Sequence, residues 1–130
     1  LVLTNRSAES DVVKIIMNKA EVAYLQGDFE TAVIWFSEVL EKDPTKVEAD
    51  FNIGVSNMNQ QKFVDASQSF GKVIQHDDNL FIQKAEWFQA GCLLAMNETD
   101  RARRQLINIA NEEKHYYHDD AEKILKRMKH

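Results

Sequence analysis

The sequence predicts an all-α fold, a right-handed stack of three helical hairpins closed by a capping helix, seven helices in all. Three observations lead there. The stretch Gly27-Asp28-Phe29-Glu30-Thr31-Ala32-Val33 returns 34 positions later, with Phe29 on Phe63, Ala32 on Ala66, Phe36 on Phe70, Val39 on Val73 and Asp43 on Asp77. A fixed period of this length is the mark of a helical repeat array. Apolar residues within each copy recur at helical spacing. Among 130 residues there are one proline and four glycines, so few positions demand a break in helix.

The elements follow in order. The spacing predicts a first helix over 10–26, with Ile16, Ala20, Ala23 and Tyr24 on one face. Gly27-Asp28 supplies a stop and a new cap. The helix 29–42 carries Ala32, Val33, Phe36, Val39 and Leu40 on one stripe. Asp43-Pro44-Thr45 ends it, since proline cannot continue a helix interior. The second hairpin is 46–60, with Ile53, Gly54 and Met58, followed by 63–76, with Ala66, Phe70, Val73 and Ile74. A looser third copy, 81–96 and 99–112, is aligned with Phe88 on Phe51, Gln89 on Asn52 and Gly91 on Gly54, an offset of 37; Ala102 falls on Ala66 at 36, and Leu106 replaces the phenylalanine. These offsets predict two or three extra residues near Leu80–Gln83 and an internal turn at Asn97–Asp100 about one residue tighter than the others. Small residues at Ala20, Gly54 and Gly91, and at Ala32, Ala66 and Ala102, let paired helices approach closely. The last helix, 117–129, sets Ala121, Ile124, Leu125 and Met128 against Lys and Arg, as a helix covering the open end of a stack does. Residues 1–10 read as a linker and 11–130 as the domain, with repeats at about 13–46, 47–80 and 84–116 and the capping helix at 117–129.

Composition narrows the function. A chain of this length buries roughly two-thirds of its unfolded surface and needs no staple. Its net charge of −5 argues against a nucleic-acid surface, because phosphate binding relies on Lys and Arg releasing counterions. The charge is uneven: residues 1–100 hold 8 basic and 16 acidic side chains, residues 101–130 hold 8 and 5. Cys92 is the one cysteine, which excludes an internal disulfide framework without fixing the compartment. No apolar run approaches the roughly 20 residues of a membrane span.

The repeated residues resemble the tetratricopeptide repeat family, whose 34-residue pattern runs bulky, small, Gly–aromatic, Ala, aromatic, Pro. The match covers about Val13 to Lys129. Departures are Gln61 in place of a turn glycine, Asp50 in place of a large apolar residue, and a proline kept in the first repeat only. The resemblance implies a protein-binding scaffold that is not an enzyme, uses no cofactor, and holds a polypeptide segment in its concave groove. The alternative is a self-associating structural module of a larger membrane-anchored protein, with a homodimer formed through an uncovered end. Trp87-Phe88, Ala102, Leu106, Ile109, Tyr117, Ala121 and Leu125 are similar to repeat domains of single-pass bacterial envelope proteins. That likeness implies a periplasmic domain in the cell envelope, with the membrane entering only through a segment outside these residues; a cytoplasmic location is the alternative.

Chemistry has little to stand on in this sequence. No Gly-rich phosphate loop, paired-cysteine metal knuckle or nucleophile elbow is present. Cys92 reads as a structural thiol. His115, His118, Asp119 and Asp120 could approach a divalent cation, but helix capping explains the aspartates and a fourth ligand is unassigned, so no metal site is expected. Ile34 and Trp35 either cover Leu1-Val2-Leu3 or form an exposed patch. In the family the first helix of each hairpin lines the groove, which places Asn18, Asn52 and Gln89 in one row and Met17, Phe51 and Phe88 in the next. Amides can bond a peptide backbone in either direction, and an apolar row can hold its side chains. The apolar row can equally pack between helices. Members that grip a C-terminal carboxylate use basic and amide residues at positions matching Met17, Glu21, Asn52, Ala85 and Gln89; only Asn52 agrees, so that clamp is not expected.

Overall fold

The computed structural model describes residues 2–129, and the side chains of Ala8 and of Ser10 to Lys129. Seven helices follow one another: α1 (Val2–Leu25), α2 (Phe29–Lys42), α3 (Val47–Asn59), α4 (Phe63–Gln75), α5 (Ile82–Ala95), α6 (Thr99–Ala110) and α7 (His118–Met128). There is no strand among the described residues. Each helix packs on its neighbour in sequence, and α1 also touches α3. The odd-numbered helices therefore form one side of the stack and the even-numbered ones the other. From α2 onward every boundary lies within two residues of the sequence expectation. The first helix differs. The segment 1–10, expected as a linker, is helical from Val2 and continuous with α1. Its polar residues include no glycine or proline, and extending an existing helix costs far less than starting one. The expected cover of Ile34 and Trp35 by Leu1-Val2-Leu3 rests on side chains outside the described residues; Ile34 is exposed, and Lys19 Nζ lies 4.9 Å above the Trp35 ring.

The three hairpins turn in the same way. Each turn has a residue in the left-handed region: Gly27 at φ 76°, Gln61 at φ 61° and Asn97 at φ 59°. The N–H of Gly27 donates to the Tyr24 carbonyl and that of Asp28 to the Ala23 carbonyl. Gln61 and Lys62 repeat the pair on Met58 and Asn57, and Asn97 and Glu98 on Leu94 and Leu93. This is the Schellman arrangement, which satisfies the last carbonyls of a helix. The third turn is thus no tighter than the others, contrary to expectation.

Burial fixes the register of the third copy at 36 rather than 37. At 36, Ala49 falls on Ala85, Ser56 on Cys92, Phe70 on Leu106 and Val73 on Ile109, all of them buried. At 37, buried Gly54 would fall on exposed Gly91. Two inserted residues account for the shift: α2 and α3 are joined by 43–46, α4 and α5 by 76–81. Asn79 organises the longer connection. Its amide donates to the carbonyls of Val73 and Asp77, both at 3.1 Å, and its Oδ1 accepts the Phe81 N–H at 2.9 Å.

The core runs along the seam between the two sides. Phe36 and Phe70 are fully buried at the same repeat position, and Leu106 takes it in the third copy. A Cβ on Gly54 would lie 2.6 Å from the Phe70 ring, so glycine is required where α3 meets α4. The same expectation for Gly91 is corrected: a Cβ there meets nothing within 4 Å, and buried Ala90 fills the equivalent place. At the far end Ala121, Ile124, Leu125 and Met128 of α7 close over Ala90, Leu106 and Ile109. Trp87 stacks on Tyr117 with centroids 5.0 Å apart and planes 3° from parallel.

Candidate protein-binding face

The side formed by α1, α3 and α5 carries the expected rows, and the corrected register rearranges them. Asn18 and Asn52 occupy one repeat position; Asn18 is exposed and Asn52 half-buried. Neither side-chain amide has a hydrogen-bond partner among the described residues. Together with Lys14, Lys46 and Glu48, Asn18 edges a recess of about 130 Å³ between α1 and the start of α3. The third member of the row is Phe88, not Gln89. Gln89 Nε2 donates to the Ser67 carbonyl at 2.8 Å, fastening α5 to α4. Its amide is spent between repeats because the residue falls at the position of Ile53, which faces the preceding hairpin.

The apolar row behaves differently from a groove lining. Met17 and Phe51 are only 8% and 7% exposed. Phe51 stacks on Phe81 at 5.0 Å and on Phe88 at 6.0 Å, and tilts against Phe70 at 5.8 Å. Both residues are core, which is the packing alternative for this row. Phe88 stays half-buried and reaches a second recess that sequence reasoning missed. That recess, about 160 Å³, is lined by Met58, Trp87, Leu94 and Ile124 together with exposed Gly91 and buried Ala90 and Leu106. The signal available in the sequence was a glycine inside a helical stripe with no turn to serve.

Register also changes the carboxylate comparison. The third-repeat positions become Lys84 and Phe88, so Asn52 and Lys84 agree while Met17, Glu21 and Phe88 do not. Exposed Glu21 sets a negative charge where a carboxylate ligand needs a donor.

The His cluster separates into two parts. His115 is buried; its Nδ1 accepts the Tyr117 N–H at 3.1 Å, so Nε2 carries the proton and donates to Glu86 Oε1 at 3.1 Å. Both ring nitrogens are thereby engaged, which ties the segment before α7 to α5. His118 lies 3.1 Å from Glu122 and 3.9 Å from Asp119. These three form the one compact group of metal-type ligands among the described residues, and both carboxylates are exposed. Asp120 is outside it. Asp119 and Asp120 sit in the first turn of α7, where the helix dipole favours acids. Cys92 is buried, and burial pushes its thiol up to about 11, so it is no nucleophile at neutral pH.

Comparison with solved structures bears on the fold. The chain is similar to the first TPR of Spaghetti (RPAP3) bound to HSP90 peptide SRMEEVD, with 15% identity, 90% of this chain and 92% of that chain covered, and a TM-score of 0.70. It is similar to the N-terminal domain of stress-induced protein-1 (STI-1) from C. elegans, with 19% identity, 95% and 98% covered, and a TM-score of 0.79. A chain of the CopN-Scc3 complex aligns with 16% identity over 88% of this chain and 69% of that one, at a TM-score of 0.74. No family model and no curated protein matches the sequence. The fold is a tetratricopeptide-type all-α helical repeat.

Proposed function

We propose that this domain is a protein-interaction scaffold whose α1–α3–α5 face binds a polypeptide segment. The observation that carries the reading is the recurrence of Asn18 and Asn52 at one repeat position, one exposed and one half-buried, with no hydrogen-bond partner for either amide among the described residues. Helix interiors gain nothing intrinsic from asparagine, whereas a backbone laid across the helices would be met by donor and acceptor together. The peptide bound by the first TPR of RPAP3 is in keeping with this use of the fold. No cofactor or catalytic group enters the reading. The experiment is selection of peptides from a displayed random library, followed by Asn52→Ala. Loss of one hydrogen bond to a bound backbone weakens selected peptides roughly five- to 150-fold. The melting temperature should stay put, because the Asn52 amide makes no hydrogen bond among the described residues. Unchanged affinity would overturn the proposal.

A second reading, self-association, has its own observation. Ile15 and Val22 on α1 are 56% and 54% exposed, whereas their equivalents Ala49, Ser56, Ala85 and Cys92 are buried against a preceding hairpin. The apolar flank of α1 is thus an inter-repeat face without a repeat on it. Ile15→Glu with Val22→Glu should abolish any dimer seen by sedimentation equilibrium; a wild-type chain that stays monomeric at high concentration removes this reading. The location we propose with the scaffold role is the bacterial envelope, on the likeness of the C-terminal half alone. No described helix is long and apolar enough to cross a membrane.

A further inference from the structure

We propose that the groove between α6 and α7 is a second docking site, one that takes an acidic amphipathic helix from a partner protein and so completes a fourth hairpin in trans. It lies apart from the α1–α3–α5 face and does not depend on peptide binding there. The repeat reaches further than the third hairpin. At the same spacing of 36, Phe81 falls on Tyr117, Ala85 on Ala121, Phe88 on Ile124 and Cys92 on Met128. Ala85 and Ala121 are both fully buried. By register, α7 is the first helix of a hairpin as well as a cap on the stack.

The earlier hairpins show what lies against such a helix. Gly54 of α3 faces the Phe70 ring of α4, and Ala90 of α5 packs with Leu106 of α6. One turn on, Asn57 and Leu93 are buried too. Gln105 of α6 also donates to the Glu86 carbonyl of α5 at 2.7 Å. In α7 the residues equivalent to Ala90 and Leu93 are Lys126 and Lys129. Both are exposed, and no helix among the described residues covers them.

The uncovered place is a recess of about 380 Å³ between α6 and α7. Ile107 and Leu125 line it from either side, and Ile107 is 40% exposed. Ile107 falls on Gly71 and Ser37 in the earlier copies, so an exposed isoleucine here belongs to the last hairpin alone. The charged lining is Arg103 from α6 and Glu122, Lys126 and Lys129 from α7. Glu122, the one acid, is engaged by His118 at 3.1 Å, and Arg103 holds exposed Asp100 at 3.1 Å. Lys126 and Lys129 make no ion pair among the described residues. Lysines alone would suffice to solvate the end of a stack; an apolar strip between cations on both banks does more. It complements a helix whose apolar stripe is flanked by Asp and Glu. A helix also bonds its own backbone, so it asks only for the side-chain contacts that this groove offers.

The test uses the whole chain and a displayed library of helices about 18 residues long, randomised along one face. Helices held by the wild-type protein but lost on the double variant Lys126→Glu with Lys129→Glu should carry an apolar stripe flanked by Asp and Glu. Both lysines are exposed, so the double variant should melt as the wild type does. Made as peptides, these helices should bind the wild type roughly tenfold more tightly than the double variant, and more weakly as salt is added. On 15N-labelled protein they should shift the amide resonances of Ile107, Leu125 and Lys126. Ile107→Ser should weaken them too, while Asn52→Ala should leave them unchanged. A library that yields no helix sensitive to the double variant overturns the proposal, as do sensitive helices without acids or shifts confined to the α1–α3–α5 face. Binding untouched by Ile107→Ser also overturns it, by reducing the site to loose charge attraction. A wild-type chain that oligomerises, and that the double variant renders monomeric, makes a second copy the occupant and overturns the assignment to a partner protein.

Discussion

Gln61 shows how a single side chain can be read twice. As a sequence position it departs from the glycine usual in a hairpin turn; in the structure it takes the same left-handed conformation as Gly27, at φ 61°. A non-glycine residue there costs about 1–2 kcal/mol of backbone strain, part of which glycine returns as chain entropy. Gln61→Gly should therefore raise stability by up to about 1 kcal/mol, read as a higher denaturant midpoint with an unchanged slope. Asp50 is the opposite case, a charge in an apolar slot. Burial raises its carboxyl above the ordinary value, and the charges of Lys72 and His76 offset this only in part. A raised folded value means that the native state holds its proton longer than the unfolded chain. Stability is then lost as pH rises from the ordinary aspartate range through the folded value, and stays lost above it. Asp50→Asn should be the more stable protein at pH 7, and the gain should shrink towards zero in melts run below the ordinary aspartate range. A gain that persists in acid would show that shape, not charge, is at issue.

At the scale of the element, α7 and the segment before it behave as a lid fixed from two sides. Ala121, Ile124, Leu125 and Met128 cover the third hairpin, while His115 reaches back to Glu86 and Tyr117 to Trp87. Lys123, Lys126, Arg127 and Lys129 are exposed. Removing residues 115–130 uncovers Leu106 and Ile109, buried in the intact chain. The truncated protein should aggregate or melt over a broader range, as repeat arrays without a polar end do. A monomer with an unchanged transition would make the lid dispensable. This element was legible from its amphipathic pattern alone. The fixing by His115 was not, because the partner Glu86 lies 29 residues away and nothing local marks the pair.

Across the whole molecule, regular features were readable and compensated ones were not. Phe36, Phe70, Ala32 and Ala66 declared the hairpins because identical neighbours impose identical residues. The third copy kept the alanine as Ala102 but put Leu106 for the phenylalanine, and the register of its first helix hung on Phe88 and Gly91, a phenylalanine and a glycine that matched by coincidence one residue late. That single slip placed on the face an amide that in fact fastens α5 to α4, and concealed the recess beside Gly91. The start of α1 was missed for another reason: polarity marks a surface, not the end of a helix. The stack has one more property, set by the order of its contacts. Each helix leans mainly on the one before and the one after, with α1 on α3 as the added contact. Among the described residues no substantial packing joins the first hairpin to the last. Under tension applied at its two ends, such a chain has no shear-loaded clamp to break. It should lengthen by peeling one helix or hairpin at a time, at low force and with quick re-coiling when the load falls, so that a stack of this build would behave as a soft spring between whatever its two ends are tied to.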